Sequence, residues 1–122
     1  MVIMEIKTLQ IDSHRIAVEH GFYEDRNEIT ADLLASRLML IVSELAEALE
    51  EVREIDAPQD LSERITWIRW ILNKPEGFPI ELADVIIRIC DTAEWLGIDL
   101  EHAISLKQAI NEKRLYKHGK AI

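Results

Sequence analysis

The stretch Leu40–Val52, LIVSELAEALEEV, decides how this chain folds. A helix turns each residue by about 100°, and on that spacing Leu38, Ile41, Val42, Leu45, Leu49 and Val52 fall within roughly 50° of one line. Such a stripe predicts an amphipathic helix that gives one face to a core. Upstream, NEITADLL (27–34) supplies Thr30 as an N-cap, and DAPQD (56–60) ends the helix near Ile55. Working outward, Ile6–Glu19 reads as a first helix stopped by Gly21. A later helix over about Ile80–Leu96 carries the stripe Leu82, Val85, Ile86, Ile89, Ala93 and Leu96 and stops at Gly97. The last helix starts at an Asp99 cap and ends before KHGK (117–120). Between them, LSERITWIRWILN (61–73) reads as a shorter amphipathic segment closed by KPEGFP (74–79). No strand pattern and no tandem repeat is evident. The expectation is one all-α domain over residues 1–122, a four- to five-helix bundle that oligomerises.

Composition narrows the function. The 122 residues are 48% hydrophobic, enough to build a core. No apolar run approaches the ~20 residues of a membrane span. Asp12 and His14 come too early for a secretory leader, so a cytoplasmic protein without a membrane partner is expected. Fourteen Lys and Arg stand against 23 Asp and Glu, a net charge of −9, and there is no basic run. That balance argues against a nucleic-acid partner held through its phosphates. The single cysteine, Cys90, lies in an apolar run and reads as a buried, inert thiol.

The acids are distributed unevenly. Glu44 and Glu47 sit one turn apart, followed by Glu50 and Glu51, with no lysine among them. The same spacing returns in ELADVIIR (81–88) with Glu81 and Asp84. Both pairs are displaced to the same side of their stripes, so two packed helices would bring them to one groove. A solvated face is the ordinary reading of such acids. Against it, like charges one turn apart cost a helix a few tenths of a kcal/mol. Leu40 lies between Glu44 and Glu47 in angle, and Trp95 between Glu81 and Asp84, so the face is expected to be covered, with a subunit contact as the cover. Carboxylates in a partly covered groove must protonate, spread apart or collect cations. Mg²⁺ suits them, taking oxygen ligands and sharing its shell with substrate phosphates.

A second constellation lies near the C-terminus. Lys107, Asn111 and Arg114 fall at i, i+4 and i+7, and His118 would continue that line. Two cations and an amide on one face suit a polyphosphate; favourable charge at a helix C-terminus is the plainer alternative. His14, Phe22 and Tyr23 near the end of the first helix are candidates to stack on or bond a nucleobase. Trp67 and Trp70, three apart beside Ile68 and Ile71, read as core or subunit contact.

Taken together, the E-x-x-E of LIVSELAEALEEVR, the E-x-x-D of ELADVIIR and the K-x-x-x-N-x-x-R-x-x-x-H-G-K tail resemble a MazG-like nucleotide pyrophosphohydrolase, of the all-α NTP pyrophosphatase superfamily. HRIAVEHGFYED (14–25) resembles the N-terminal region of that family. The segment between the acidic motifs, Ala48–Ile80, is longer than in compact members. The resemblance implies Mg²⁺-dependent hydrolysis of a nucleoside triphosphate to monophosphate and pyrophosphate, with Mn²⁺ a possible substitute. It implies Glu44, Glu47, Glu81 and Asp84 as metal ligands and Lys107, Asn111 and Arg114 as phosphate contacts. It also implies a homodimer or homotetramer. On this reading a water attacks in line at the α-phosphorus, and Glu47 is the candidate base that takes its proton. His14 and Phe22 are the candidate base-binding pair. A specialised dUTPase, dCTPase or phosphoribosyl-ATP hydrolase of the same superfamily, or a non-catalytic oligomerisation module, are the alternatives.

Overall fold

The computed structural model describes residues 4–24, 28–55 and 58–114. In chain order they form α1 (Ile6–Glu19), α2 (Ala31–Arg53), a single 3₁₀ turn (Pro58–Asp60), α3 (Leu61–Arg64), β1 (Arg69–Ile71), β2 (Lys74–Glu76), α4 (Phe78–Trp95) and α5 (Leu100–Lys113). The protein is mainly helical, as its spacing predicts. None of the described helices is long and apolar enough to cross a membrane.

Local hydrogen bonding sets the helix ends where the sequence places them. Thr30 Oγ1 accepts the Leu33 N–H at 3.1 Å, and Asp99 Oδ1 accepts the His102 N–H at 3.0 Å. Each cap satisfies an N–H that the first helical turn leaves open. At the other end, α1 and α4 stop in the same way. The Phe22 N–H reaches the Ala17 carbonyl and the Gly21 N–H that of Val18; Ile98 and Gly97 repeat the pair on Ala93 and Glu94. This is the Schellman arrangement, which turns the chain out of the helix while pairing its last carbonyls.

The segment 61–73 departs from expectation. Only Leu61–Arg64 is helical; Arg69–Ile71 and Lys74–Glu76 instead pair as an antiparallel hairpin, with Arg69 opposite Glu76 and Trp70 opposite Pro75. Ile65, Thr66, Trp67, Ile68, Trp70 and Ile71 are β-branched or aromatic, types that favour a pleated ribbon over a helix. Leu72 and Asn73 turn the ribbon with φ of 50° and 66°, the tight two-residue connection that suits strand twist. A lone three-residue pair is weak by itself, and its anchor is Arg69, whose Nη2 reaches both oxygens of Glu51 at 3.1 Å. The ribbon runs into α4 through Gly77 at φ +129°, where an added Cβ would lie 2.5 Å from the Trp67 carbonyl oxygen. Only glycine fits there.

α1 and α2 both pack on α4, and α5 packs on α1. The side chains that meet across these contacts include only part of the predicted stripes, Val85 and Ala93 of α4 among them. Gln10, Ser13, Arg37, Asp91 and Thr92 are buried, alongside the apolar Ala48, Val85, Cys90 and Ala93. Leu38, Val42, Leu45 and Leu49 stay about half exposed, as do Leu82, Ile86 and Ile89. The reading of the stripes as packed core therefore holds for Val85 and Ala93 and is corrected for these leucines, isoleucines and the valine of α2. α2 turns inward the line Arg37, Ile41, Glu44, Ala48 and Val52, and α4 the line Glu81, Asp84, Val85, Arg88, Asp91 and Trp95. Ion pairs and buried hydrogen bonds hold that polar seam together.

Candidate functional site

The pairings across the seam fix how α2 and α4 run. Glu47 meets Glu81, Glu44 meets Arg88, and Arg37 meets Asp91 and Trp95. Partners rise along one helix as they fall along the other, so the two are antiparallel. Two acids from each helix consequently arrive at one level. Glu44, Glu81 and Asp84 each offer a carboxylate oxygen, and those atoms all lie within 4.8 Å of one another. Glu47 adjoins the trio through Glu81, with which it shares a hydrogen bond when one of the two carries a proton.

Electrostatics follow from this crowding. Glu81 is pushed up from 4.5 to about 7, chiefly by burial, then by its bond to Glu47 and by the charges of Glu47, Asp84 and Glu44. Asp84 is raised too, by burial first and then by Glu44, while Arg88 and Lys74 pull it back. When both neighbours are ionised, Glu81 Oε2 is buried with no hydrogen-bond donor. An orphaned oxygen beside two more carboxylates is what a hard divalent cation satisfies, and an all-oxygen donor set suits Mg²⁺ or Mn²⁺ over zinc. The residues fit such an ion.

A cleft of about 240 Å³ opens beside the trio between α1, α2 and α4. Its walls include Phe22, Arg37, Glu44, Asp84, Arg88 and Asp91. Arg88 Nε donates to Glu44 Oε1 at 2.6 Å. Arg37 is 5% exposed; it donates to the Phe22 carbonyl at 3.1 Å and lies 4.2 Å over the Tyr23 ring, with Trp95 at 5.5 Å. Asp91 gathers the far wall, accepting from Tyr23 Oη at 2.8 Å and bonded to His14 Nδ1 at 2.9 Å. The two bonds to Asp91 tie α1 and the loop after it to α4, and Arg37 ties that loop to α2, so the cleft is braced on three sides.

The predicted residues therefore divide. The four acids come together. Phe22 lines the cleft with its ring 55% exposed, whereas His14 has one ring nitrogen engaged by Asp91 and its ring edge-on to Tyr23. Lys107, Asn111 and Arg114 are exposed and are not among the cleft-lining residues. α5 ends at Lys113 and Arg114 is extended, so the helical line through all three breaks at its last member. His118 lies outside the described residues. Trp95 is covered from within its own chain by Tyr23 and Arg37, while Leu40 is 44% exposed. Trp70 sits on the hairpin and Trp67 in the loop that leads into it, 70% and 48% exposed, instead of on a helix.

Arg88, which pairs with Glu44, and Arg37, which faces Asp91 across the cleft, are not singled out by the sequence. Arg88 had a readable signal, lying four residues after Asp84 and so on the same helical face. Arg37 had none, since its neighbours LLAS-RLML give no hint that a charge points inward. No family model matches the chain, and no curated protein or solved structure matches it.

Proposed function

We propose that the chain is a Mg²⁺-dependent nucleoside triphosphate pyrophosphohydrolase of the MazG-like kind, releasing pyrophosphate from a dNTP or a non-canonical NTP in a nucleotide-pool house-cleaning role. The observation that carries this reading is the meeting of Glu44, Glu81 and Asp84, with Glu47 beside them, where Glu44 and Asp84 also line a cleft that holds two arginines and an exposed phenylalanine. Acids alone would repel a triphosphate from a chain of charge −9. Glu44, Glu47, Glu81 and Asp84 would hold Mg²⁺, or Mn²⁺ in its place. The ion would supply charge neutralisation and an acidified water.

The remaining roles belong to the chain. Glu47, the most exposed of the four acids, takes the proton of the water that attacks in line at the α-phosphorus. Arg88 can leave Glu44 and donate to the developing charge on the phosphates. Lys107, Asn111 and Arg114 are proposed as further phosphate contacts. Phe22 stacks on the base, and His14, oriented by Asp91, addresses its edge. The protein works in the cytoplasm as a homodimer or homotetramer built from four- to five-helix protomers. Base preference of the dUTPase, dCTPase or phosphoribosyl-ATP hydrolase type rests on few pocket contacts and leaves this chemistry unchanged.

One observation favours a second reading. The Glu44–Arg88 pair already neutralises one acid within the chain, as it would in a non-catalytic helical oligomerisation module. Pyrophosphate release from a panel of canonical and modified (d)NTPs, with Mg²⁺ and with chelator, separates the two. Metal-dependent release supports the hydrolase; silence across the panel leaves the module.

A further inference from the structure

We infer that the cavity beside the hairpin, between the C-terminal end of α2, α3 and the start of α4, is a second ligand site that takes a free α-amino acid with a large apolar side chain. This goes beyond the hydrolase reading and does not depend on it.

The cavity holds about 200 Å³ and shares no lining residue with the cleft beside the acids. Glu51, on its wall, comes one turn of α2 after Glu47, about 6 Å along the helix axis. Most of the remaining wall is supplied by the long segment between the two acidic motifs, through Arg64, Ile65, Trp67 and Arg69. None of these residues has a part in the reaction proposed above.

The walls are held in place. Arg69 Nη2 reaches both oxygens of Glu51 and so clamps the ribbon to α2. Beyond α3, the Thr66 N–H reaches the Glu63 carbonyl at 3.2 Å and the Trp67 N–H that of Arg64 at 3.1 Å. Gly77 lets α4 begin directly against the Trp67 carbonyl. Walls fixed by bonds to three different elements do not close on the gap between them.

The lining identifies the occupant. Ile55, Ile65, Trp67 and Phe78 offer apolar surface, and Glu51 and Arg69 satisfy one another. Glu54 and Arg64 are left, and neither has an ion-pair partner among the described residues; Arg64 instead lies 5.7 Å from the centre of the Trp67 ring. One open anion and one open cation beside apolar walls complement a molecule with both charges and an apolar body. Its carboxylate accepts the forked donors of Arg64, and its ammonium donates to Glu54. Net charge separates this ligand from an anionic one. A nucleotide would approach against the field of a chain of −9, whereas a zwitterion carries no net charge to repel. Size agrees, since pockets for drug-sized molecules begin at about 300 Å³ and this one is smaller.

Isothermal titration calorimetry of the intact protein in chelator tests the site apart from any metal-dependent turnover. Phenylalanine, leucine and tryptophan are each expected to saturate at one molecule per chain, and glycine to give no binding. Phenylalanine amide and N-acetylphenylalanine, which each lack one charge, should bind about tenfold more weakly. Arg64→Ala and Glu54→Gln should each weaken phenylalanine by a similar factor; both positions are exposed, so the variants keep the fold. Glu54→Gln should leave N-acetylphenylalanine unchanged, because that compound has no ammonium for Glu54 to accept. Phe22→Ala, in the other cleft, should leave phenylalanine binding unchanged. Absence of saturable binding of all three amino acids up to about 1 mM overturns the inference. So does binding that survives both Arg64→Ala and Glu54→Gln, binding that is lost through Phe22→Ala, or a nucleoside monophosphate that binds here more tightly than any amino acid.

Discussion

The two sides of the α2–α4 pair are built from the same helices and solve opposite problems. One side gathers Glu44, Glu47, Glu81 and Asp84, and α1 closes over the end that holds Arg37, Glu44, Asp84, Arg88 and Asp91. The other presents leucine, isoleucine and valine side chains about half exposed. In most single domains the apolar side faces inward and the charged side meets water. Here the polar side is the interior of the protomer. Burying charge is costly unless every group finds a partner; Asp91 is met by His14, Tyr23 and Arg37, while Glu81 Oε2, like the Nε of Arg37, is not. The site side is thus short of one positive charge, and the outer side is short of a covering surface.

The largest effect should come from the site side. Glu44→Gln and Asp84→Asn are each expected to lower Mg²⁺-dependent pyrophosphate release by roughly 10³-fold, in line with loss of preorganised charge at a reacting phosphate, while helical circular dichroism stays near wild type. Turnover that survives both changes refutes the ligand assignment.

Next comes the outer side. Leu45→Ala should lower stability by about 2–4 kcal/mol if a second copy buries Leu45, and by less than about 1 kcal/mol if water does. Urea unfolding at several protein concentrations distinguishes these, because a dimer's midpoint rises with concentration. A small, concentration-independent loss would mean that the two sides differ less than proposed.

The shortage of charge on the site side has its own signature. Glu81 titrates near 7 in the folded chain against 4.5 in its ordinary state, so between those values the native protein holds more proton than the unfolded one. Metal-free stability must therefore fall as pH rises from about 4.5 to 7, by roughly 1–2 kcal/mol once water access is allowed for. Glu81→Gln should flatten that slope, and Mn²⁺ should flatten it in the wild type by supplying the charge. Thermal melts at pH 5 and pH 7.5, with and without Mn²⁺, measure it; a stability that rises across the window would contradict the crowding of these acids.

The smallest effect concerns Arg88. Because it occupies Glu44 in the metal-free chain, Arg88→Gln should tighten Mn²⁺ binding severalfold, an exposed-to-half-buried ion pair being worth about 1 kcal/mol. Calorimetric titration reads this directly, and weaker binding would show that Arg88 supports the ligand set instead of competing with it.

Sequence disclosed local chemistry well and mutual orientation poorly. Thr30, Asp99, Gly21 and Gly97 were legible because a cap or stop is a matter of a few neighbouring atoms. The acids were legible because their spacing repeats on two helices. Which flank of α2 faces α4 was not, since periodicity identifies a stripe without naming what covers it. The hairpin was missed for a related reason. Its tip is Leu72–Asn73 and lacks the Asn-Gly or Asp-Gly pair that marks such turns, and its strands are too short for alternation to stand out from helical spacing. Asp91 and Arg37 work through partners distant in sequence, and no local pattern announces them.

The lone thiol provides a natural clock for the seam. Cys90 is 1% exposed, next in sequence to the Asp91 knot, and burial pushes its sulfur's ionisation upward. A thiol reagent can modify it only when α4 lifts away, so the labelling rate of the unmodified protein reports how often that happens. Ligands entering the cleft should slow the reaction, whereas agents acting elsewhere on the surface should leave its pace unaltered.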